Sequence, residues 1–159
     1  MNTPDQWIVR RARPGDVESL LRMMVAFNRE ERIPFHRARV APALRRLLRE
    51  PRLGAVLVLA RAAEPRRLAG YAIGTLGFDL EFAGPDAFLT EIFVARHERR
   101  GGAGARLIEA SMRALQEAGA AAVTLLVRPE NVAARRLYTR AGFRELPRLP
   151  MVRRLVSSR

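Results

Sequence analysis

The chain has 159 residues, 48% of them hydrophobic and 28% charged, the proportions of a folded globular protein rather than a disordered tail. It contains no cysteine, and all 29 of its basic residues are arginine, which excludes disulfides, thiolate metal sites, an acyl-cysteine, a Schiff base and a lysine-bearing P-loop. Only His36 and His97 remain as imidazoles, so no metal centre is expected, and the net charge of +13 favours polyanionic cofactors.

The length fits a single domain over residues 1–159. No apolar run approaches the ~20 residues that cross a bilayer. Residues 1–7 lack the basic and apolar regions of a secretion signal, so a cytoplasmic protein without membrane contact is expected. Arginine is spread over nearly every segment. No aromatic-interleaved basic stripe accompanies it, so a nucleic-acid-binding domain is only the alternative that the charge raises.

Residues 7–11 read as a first strand. Pro14-Gly15-Asp16 then offers a turn and an N-cap before Val17, Leu20, Leu21, Met24 and Val25, which share one helical face. That helix continues through residues 27–31 and stops near Pro34. Pro42 opens a second helix carrying Leu44, Leu47 and Leu48, and Pro51 ends it. Residues 54–60 form an unbroken apolar run, the pattern of a strand covered on both faces. Glu64-Pro65-Arg66-Arg67 makes a turn, residues 68–78 return as a strand, and after a loop at residues 83–86 a third core strand spans 87–94.

Arg99-Arg100-Gly101-Gly102-Ala103-Gly104 follows, leading into a helix marked by Leu107, Ile108, Met112 and Leu115 and closed by Gly119. Residues 122–127 are another apolar strand, Asn131 to Ala141 a last helix ended by Gly142, and Phe143 with residues 151–155 late strand material. The sum is an α/β arrangement, a mixed sheet with about four helices over its faces. Strand, glycine-rich backbone and helix start in succession present free N–H groups and the positive helix end to a phosphate.

Arg99-x-x-Gly102-x-Gly104, followed by Asn131-x-x-Ala134-x-x-x-Tyr138-x-x-x-Gly142-Phe143, resembles the two core motifs of the GNAT N-acetyltransferase superfamily. The resemblance covers nearly the whole chain, and Phe88-Leu89-Thr90-Glu91-Ile92-Phe93-Val94 is similar to the central strand of its spermidine/spermine and small-amine branch. It implies acetyl-CoA in a cleft between splayed parallel strands ending at Val94 and Val127. Backbone groups of Ile92, Phe93 and Val94 would pair with the pantetheine arm. Arg99, Arg100, Gly101, Gly102, Ala103, Gly104 and Ala105 would wrap the pyrophosphate, chiefly through N–H groups. Asn131, Ala133, Ala134, Arg135 and Tyr138 form the second cofactor-contacting segment. Relatives often carry glycine where Arg100 stands and a larger aliphatic at Ala103.

An alkyl ammonium must lose a proton before it attacks a thioester, and alternation along the strand aims Glu91 toward the face of Phe93, as a base or as an amine-orienting carboxylate. Thr90 stands where spermine-type enzymes usually have an acid. Glu30, Glu31 and Glu81 are further carboxylates for the acceptor pocket. By the resemblance, Tyr138 lies beside the cofactor sulfur and protonates the departing thiolate. The expectation is therefore acetyl transfer from acetyl-CoA to a primary amine, small or protein-borne, by direct attack in a ternary complex. A catalytically idle acyl-CoA-binding regulator on the same fold is the alternative, and relatives often dimerise, so a homodimer is expected.

Overall fold

The computed structural model describes residues 6–155. β1 (Trp7–Arg11) pairs antiparallel with β2 (Gly54–Arg61), which pairs with β3 (Glu64–Asp79), which pairs with β4 (Gly84–Val94); only β5 (Val123–Leu125) joins in parallel, beside β4. The sheet is five-stranded in the order β1-β2-β3-β4-β5. α1 (Val17–Glu31) and α2 (Arg37–Arg49) lie between β1 and β2, α3 (Ala103–Glu117) lies between β4 and β5, and α4 (Val132–Arg140) follows β5. This is the mixed α/β architecture expected from the sequence.

β2 sits inside the sheet, and its apolar run is buried on both faces. Val56 and Val58 pack with Leu20, Leu21, Met24 and Leu44 under α1 and α2. Leu57 and Leu59, one residue out of phase, pack with Leu107 and Leu115 under α3. Each such side chain contributes roughly 1.5–3 kcal/mol by leaving water, which fixes the register of the central strands.

Five local readings shift. β4 starts at Gly84, inside the loop expected at residues 83–86, and the strand expected over 122–127 shrinks to Val123–Leu125. The β2–β3 turn falls at residues 62–63, so Glu64, Pro65, Arg66 and Arg67 belong to β3. α2 starts at Arg37, with Pro42 inside it. Arg39 and Val40 both donate to the His36 carbonyl at 3.0 Å, completing a first turn before the proline, whose missing N–H would have been the partner of the carbonyl of Ala38, an exposed residue. The late strand does not form: residues 144–155 are irregular and exposed. Pro147 and Pro150 cannot donate to a ladder, and the neighbouring β5 is only three residues long.

Candidate functional site

The parallel pairing of β4 with β5 runs only from Ala87–Val123 to Leu89–Leu125. On its other side β4 stays paired with β3 as far as Val94, opposite Gly70. The strands therefore part after Leu89, leaving the β5-side edge of β4 from Glu91 to Val94 without a strand partner. The parting coincides with a bulge: Ile73 faces Glu91 while Gly74 faces Leu89, so Thr90 is the extra residue. Its Oγ1 donates to the Ile73 carbonyl at 3.1 Å, holding the kink.

Glu91 follows the bulge and points to the α1 face. Tyr71, fully buried, donates its hydroxyl to Glu91 Oε2 at 2.6 Å. Burial raises the Glu91 pKa, and the bond from Tyr71 draws it partly back. The tyrosine is itself pushed far up by burial and by the neighbouring carboxylate. Phe27 and Phe93 pack against its ring at centroid distances of 6.5 and 6.0 Å.

Beyond Val94 a short turn of 3-10 helix, Arg96–Glu98, leads to the glycine segment. Gly102 takes φ +77°, the left-handed region that suits glycine. Arg100 adopts φ +76°, which costs a side-chain-bearing residue roughly 1–2 kcal/mol. α3 begins at Ala103 with no side-chain cap and no acidic residue in its first turn. Its leading N–H groups are thus left for another acceptor. Ala103 is buried in the core, and a methyl group at Gly104 would stand 3.0 Å from Leu137 Cδ2 of α4.

Sequence reasoning missed the support under this turn. The Trp7 indole Nε1 donates to the Gly101 carbonyl at 3.1 Å. Arg61 stacks on that indole, 4.9 Å from its centroid, and bonds the buried Glu98 carboxylate at 2.8 Å. The Arg61 hydrogen bond holds the Glu98 pKa below its ordinary value. A lone tryptophan on a first strand and a glutamate in an arginine-rich stretch gave no signal of this, since the contact spans 94 positions.

Arg99 lies back over the Phe93 ring, donating Nε to the Val94 carbonyl at 2.7 Å and Nη2 to Glu30 at 2.8 Å. Glu30 also meets Arg96 at 3.2 Å. Burial acts to raise its pKa, but the two guanidiniums together hold it below the ordinary value. Glu31 pairs with Arg128 at 2.9 Å. Asn131 Oδ1 caps α4 by accepting from Ala134 N–H at 3.2 Å, and Arg135 is held by Glu145 and by the Pro129 carbonyl at 3.2 Å. Ala133 and Ala105 are exposed. Tyr138 is buried on α4 with its ring 5.9 Å from Phe143, and burial together with the Glu31 charge pushes its phenol up to about 12.

The expected residues thus fall into one region, at the parted ends of β4 and β5 and the facing ends of α1, α3 and α4, with one exception. Glu81 sits before β4 begins, at the opposite end of that strand, paired with Arg148 at 2.8 Å. Among the described residues no group of acidic and imidazole side chains could hold a metal ion.

Comparison with known proteins agrees with this geometry. An integron cassette protein from the mobile metagenome of Cole Harbour Salt Marsh shares 29% identity at a TM-score of 0.81, over 94% of this chain and 91% of that one. A putative acetyltransferase from Arthrobacter sp. FB24 also shares 29% identity, with a TM-score of 0.76, over 93% and 96% of the two chains. An aminoglycoside acetyltransferase from an uncultured soil metagenomic sample has the same fold at 16% identity and a TM-score of 0.73, over 97% and 99%. No curated protein matches the sequence. The description of the acetyltransferase (GNAT) family matches residues 20–143, most of the chain, and with the parted strands and the glycine turn in place the chain belongs to that family.

Proposed function

We propose that the protein transfers an acetyl group from acetyl-CoA to a primary amine by direct attack in a ternary complex. The observation that carries this reading is the open β5-side edge of β4 after Leu89, leading into the uncapped start of α3. The donor fits there. The first N–H groups of α3 have no side-chain acceptor, and beyond its chain neighbours nothing lies within 4 Å of where a Cβ on Gly102 would stand, so a diphosphate can approach the backbone. Residues 99–105 would hold it, with Ile92, Phe93 and Val94 offering their backbone to the pantetheine arm and Asn131, Ala133, Ala134 and Arg135 flanking it. Arg99 would leave the Val94 carbonyl as that arm docks. Acetyl-CoA supplies an acyl carbon activated as a thioester.

Glu91 acts as the base. Its carboxylate removes a proton from the ammonium, the freed nitrogen lone pair forms the N–C bond, and the C–S bond breaks with its electron pair going to sulfur. Tyr138, still protonated at neutral pH, gives its hydroxyl proton to that sulfur. The second proton of the nitrogen passes to solvent, which also restores the phenol. Tyr71 positions Glu91 and limits the rise in its pKa. The likeness of residues 88–94 to the spermidine/spermine branch supports an alkyl amine as attacking group and nothing narrower, because Thr90 spends its hydroxyl on the Ile73 carbonyl.

A cytoplasmic homodimer completes the reading. Among the described residues no helix is long and apolar enough to cross a membrane. Calorimetry with acetyl-CoA, followed by thiol release over a panel of amines, tests the proposal. Saturable binding with release supports it, binding without release on any amine returns the idle regulator, and no binding removes it.

A further inference from the structure

On the α1 side of β4 lies a cavity of about 960 Å³, bounded by α1, the start of β3 and the end of β4. Its rim carries Arg22, Arg29, Arg66, Arg67 and Arg96, and a single carboxylate, Glu30. That carboxylate is already engaged by Arg96 and Arg99. Arg67 has a long contact to Glu64 at 3.4 Å, and among the described residues Arg22 bonds only the Ser19 hydroxyl. Among the described residues no carboxylate lies within ion-pair distance of Arg22, Arg29 or Arg66. The chain otherwise uses its scarce acids widely, in pairs such as Arg10–Asp16, Arg61–Glu98 and Arg128–Glu31. Three arginines left together on one cavity give it a positive potential with no counter-charge of its own.

The floor is apolar. Met23, Leu68 and Phe93 line it, and Phe93 links it to the reacting end, because it packs against Tyr71, which holds Glu91. Phe93 and Glu91 are two residues apart on one strand face, a separation of about 7 Å. Glu91 is not itself on the cavity wall, and Phe93 is the residue of its strand face that is, so an acceptor whose amine meets Glu91 would reach the arginines past Phe93. None of Glu30, Glu31 or Glu81 remains uncommitted to attract a second cationic group there.

We infer that the acceptor carries an anionic group, a carboxylate or a phosphate, a few bonds from its amine, and that Arg29 and Arg66 bind that group in this cavity while the amine meets Glu91. The inference rests on the acetyltransferase reading above and narrows its substrate class to amino acids, amino phosphates and their like, with an apolar body suited to Met23 and Leu68. Polyamines and aminoglycosides fall outside it.

The test uses amines in matched pairs that differ only in the anion: phenylalanine with phenethylamine, and O-phosphoethanolamine with ethanolamine, with spermidine and an aminoglycoside alongside. Acetyl-CoA binding is measured first on the same protein by calorimetry. Its absence sinks both readings, whereas its presence leaves the anion inference to stand or fall alone. The expected result is a preference of about tenfold or more in kcat/KM for the anionic member of a pair, the worth of one charge-assisted hydrogen bond. Arg29→Gln with Arg66→Gln, both exposed and without carboxylate partners, should abolish that preference by raising the acceptor KM while leaving the acetyl-CoA KM unchanged. A second readout is the melting temperature of the CoA-saturated protein with N-acetylphenylalanine against its amide, where only the acid should raise it, and only with both arginines present. Equal or better turnover of neutral or polycationic amines overturns the inference. So does a rise in the acetyl-CoA KM alone, which would assign the arginines to the donor's phosphates, and so does the absence of both a turnover preference and a melting shift.

Discussion

Tyr71 and Glu91 sit diagonally on adjacent strands, and the phenol of one donates to the carboxylate of the other at 2.6 Å. Burial raises the carboxyl pKa and this bond lowers it, so loss of the bond moves it further up. If Glu91 is the base, activity falls as pH drops through that pKa. Tyr71→Phe should therefore shift the acid limb of the kcat/KM profile to higher pH without changing the alkaline side. Glu91→Gln should erase the limb and lower turnover by about 10²–10⁴, the usual worth of base catalysis. An unmoved limb in Tyr71→Phe removes the positioning role.

The same shift has a consequence for stability. A carboxyl whose pKa is higher in the folded state holds its proton more tightly there, so its contribution is complete below the unfolded value of about 4.3 and is lost as pH rises through the folded value. Denaturant melts across that window should show Glu91→Gln with a flatter pH dependence than the parent. A steeper one contradicts the burial argument.

Tyr138 makes a different prediction because its phenol, near 12, does not titrate at physiological pH. Tyr138→Phe should lower the kcat plateau by about ten- to a hundredfold while the shape of the pH profile and the acetyl-CoA dissociation constant stay as they were. The ring packing against Phe143 survives the change, so melting should move little. An unchanged plateau removes the acid role.

Gly104 and Leu137 join the two motifs physically. The Leu137 tip can yield a few tenths of an ångström, so Gly104→Ala should be nearly neutral, its gain in helix propensity of about 1 kcal/mol offsetting the contact. Gly104→Val should cost about 1–3 kcal/mol by overpacking and raise the acetyl-CoA KM. Leu137→Ala in the same chain should recover part of that loss. Additive costs in the double-mutant cycle would mean that the two helices do not press on each other at this point.

Much of this arrangement was legible before folding. Periodicity located β2 and its two buried faces and the α1 stripe of Val17, Leu20, Leu21 and Met24, though Val25, assigned to the same stripe, is 47% exposed; the glycines themselves marked the turn, and each reading depends on neighbours close in sequence. What escaped depends on register. Nothing within a few residues of Tyr71 shows that a bulge at Thr90 will set it diagonal to Glu91, and nothing near Trp7 points to the Gly101 carbonyl. His97 and Glu98 look alike as polar residues in a basic stretch, yet the first is exposed and the second is buried on Arg61. Strand propensity at residues 151–155 misled for the complementary reason: the local pattern suits a strand, but the prolines before it and the short β5 leave it nothing to pair with.

That unpaired segment bears on assembly. Leu149, Met151, Val152 and Leu155 are each at least 87% exposed, and Leu126 just past β5 is 61% exposed, an apolar load that monomers seldom leave in water. β5 is the edge of the sheet and offers backbone groups to another chain. A homodimer joined through this edge would bury both. Light scattering should then give twice the chain mass, and replacing Met151 and Val152 with Asp should return the monomer with its fold intact, since neither residue belongs to the core. A monomeric parent removes the proposal. A dimer indifferent to these substitutions assigns the interface to another face, such as the exposed Phe78 and Leu80 at the far end of β3.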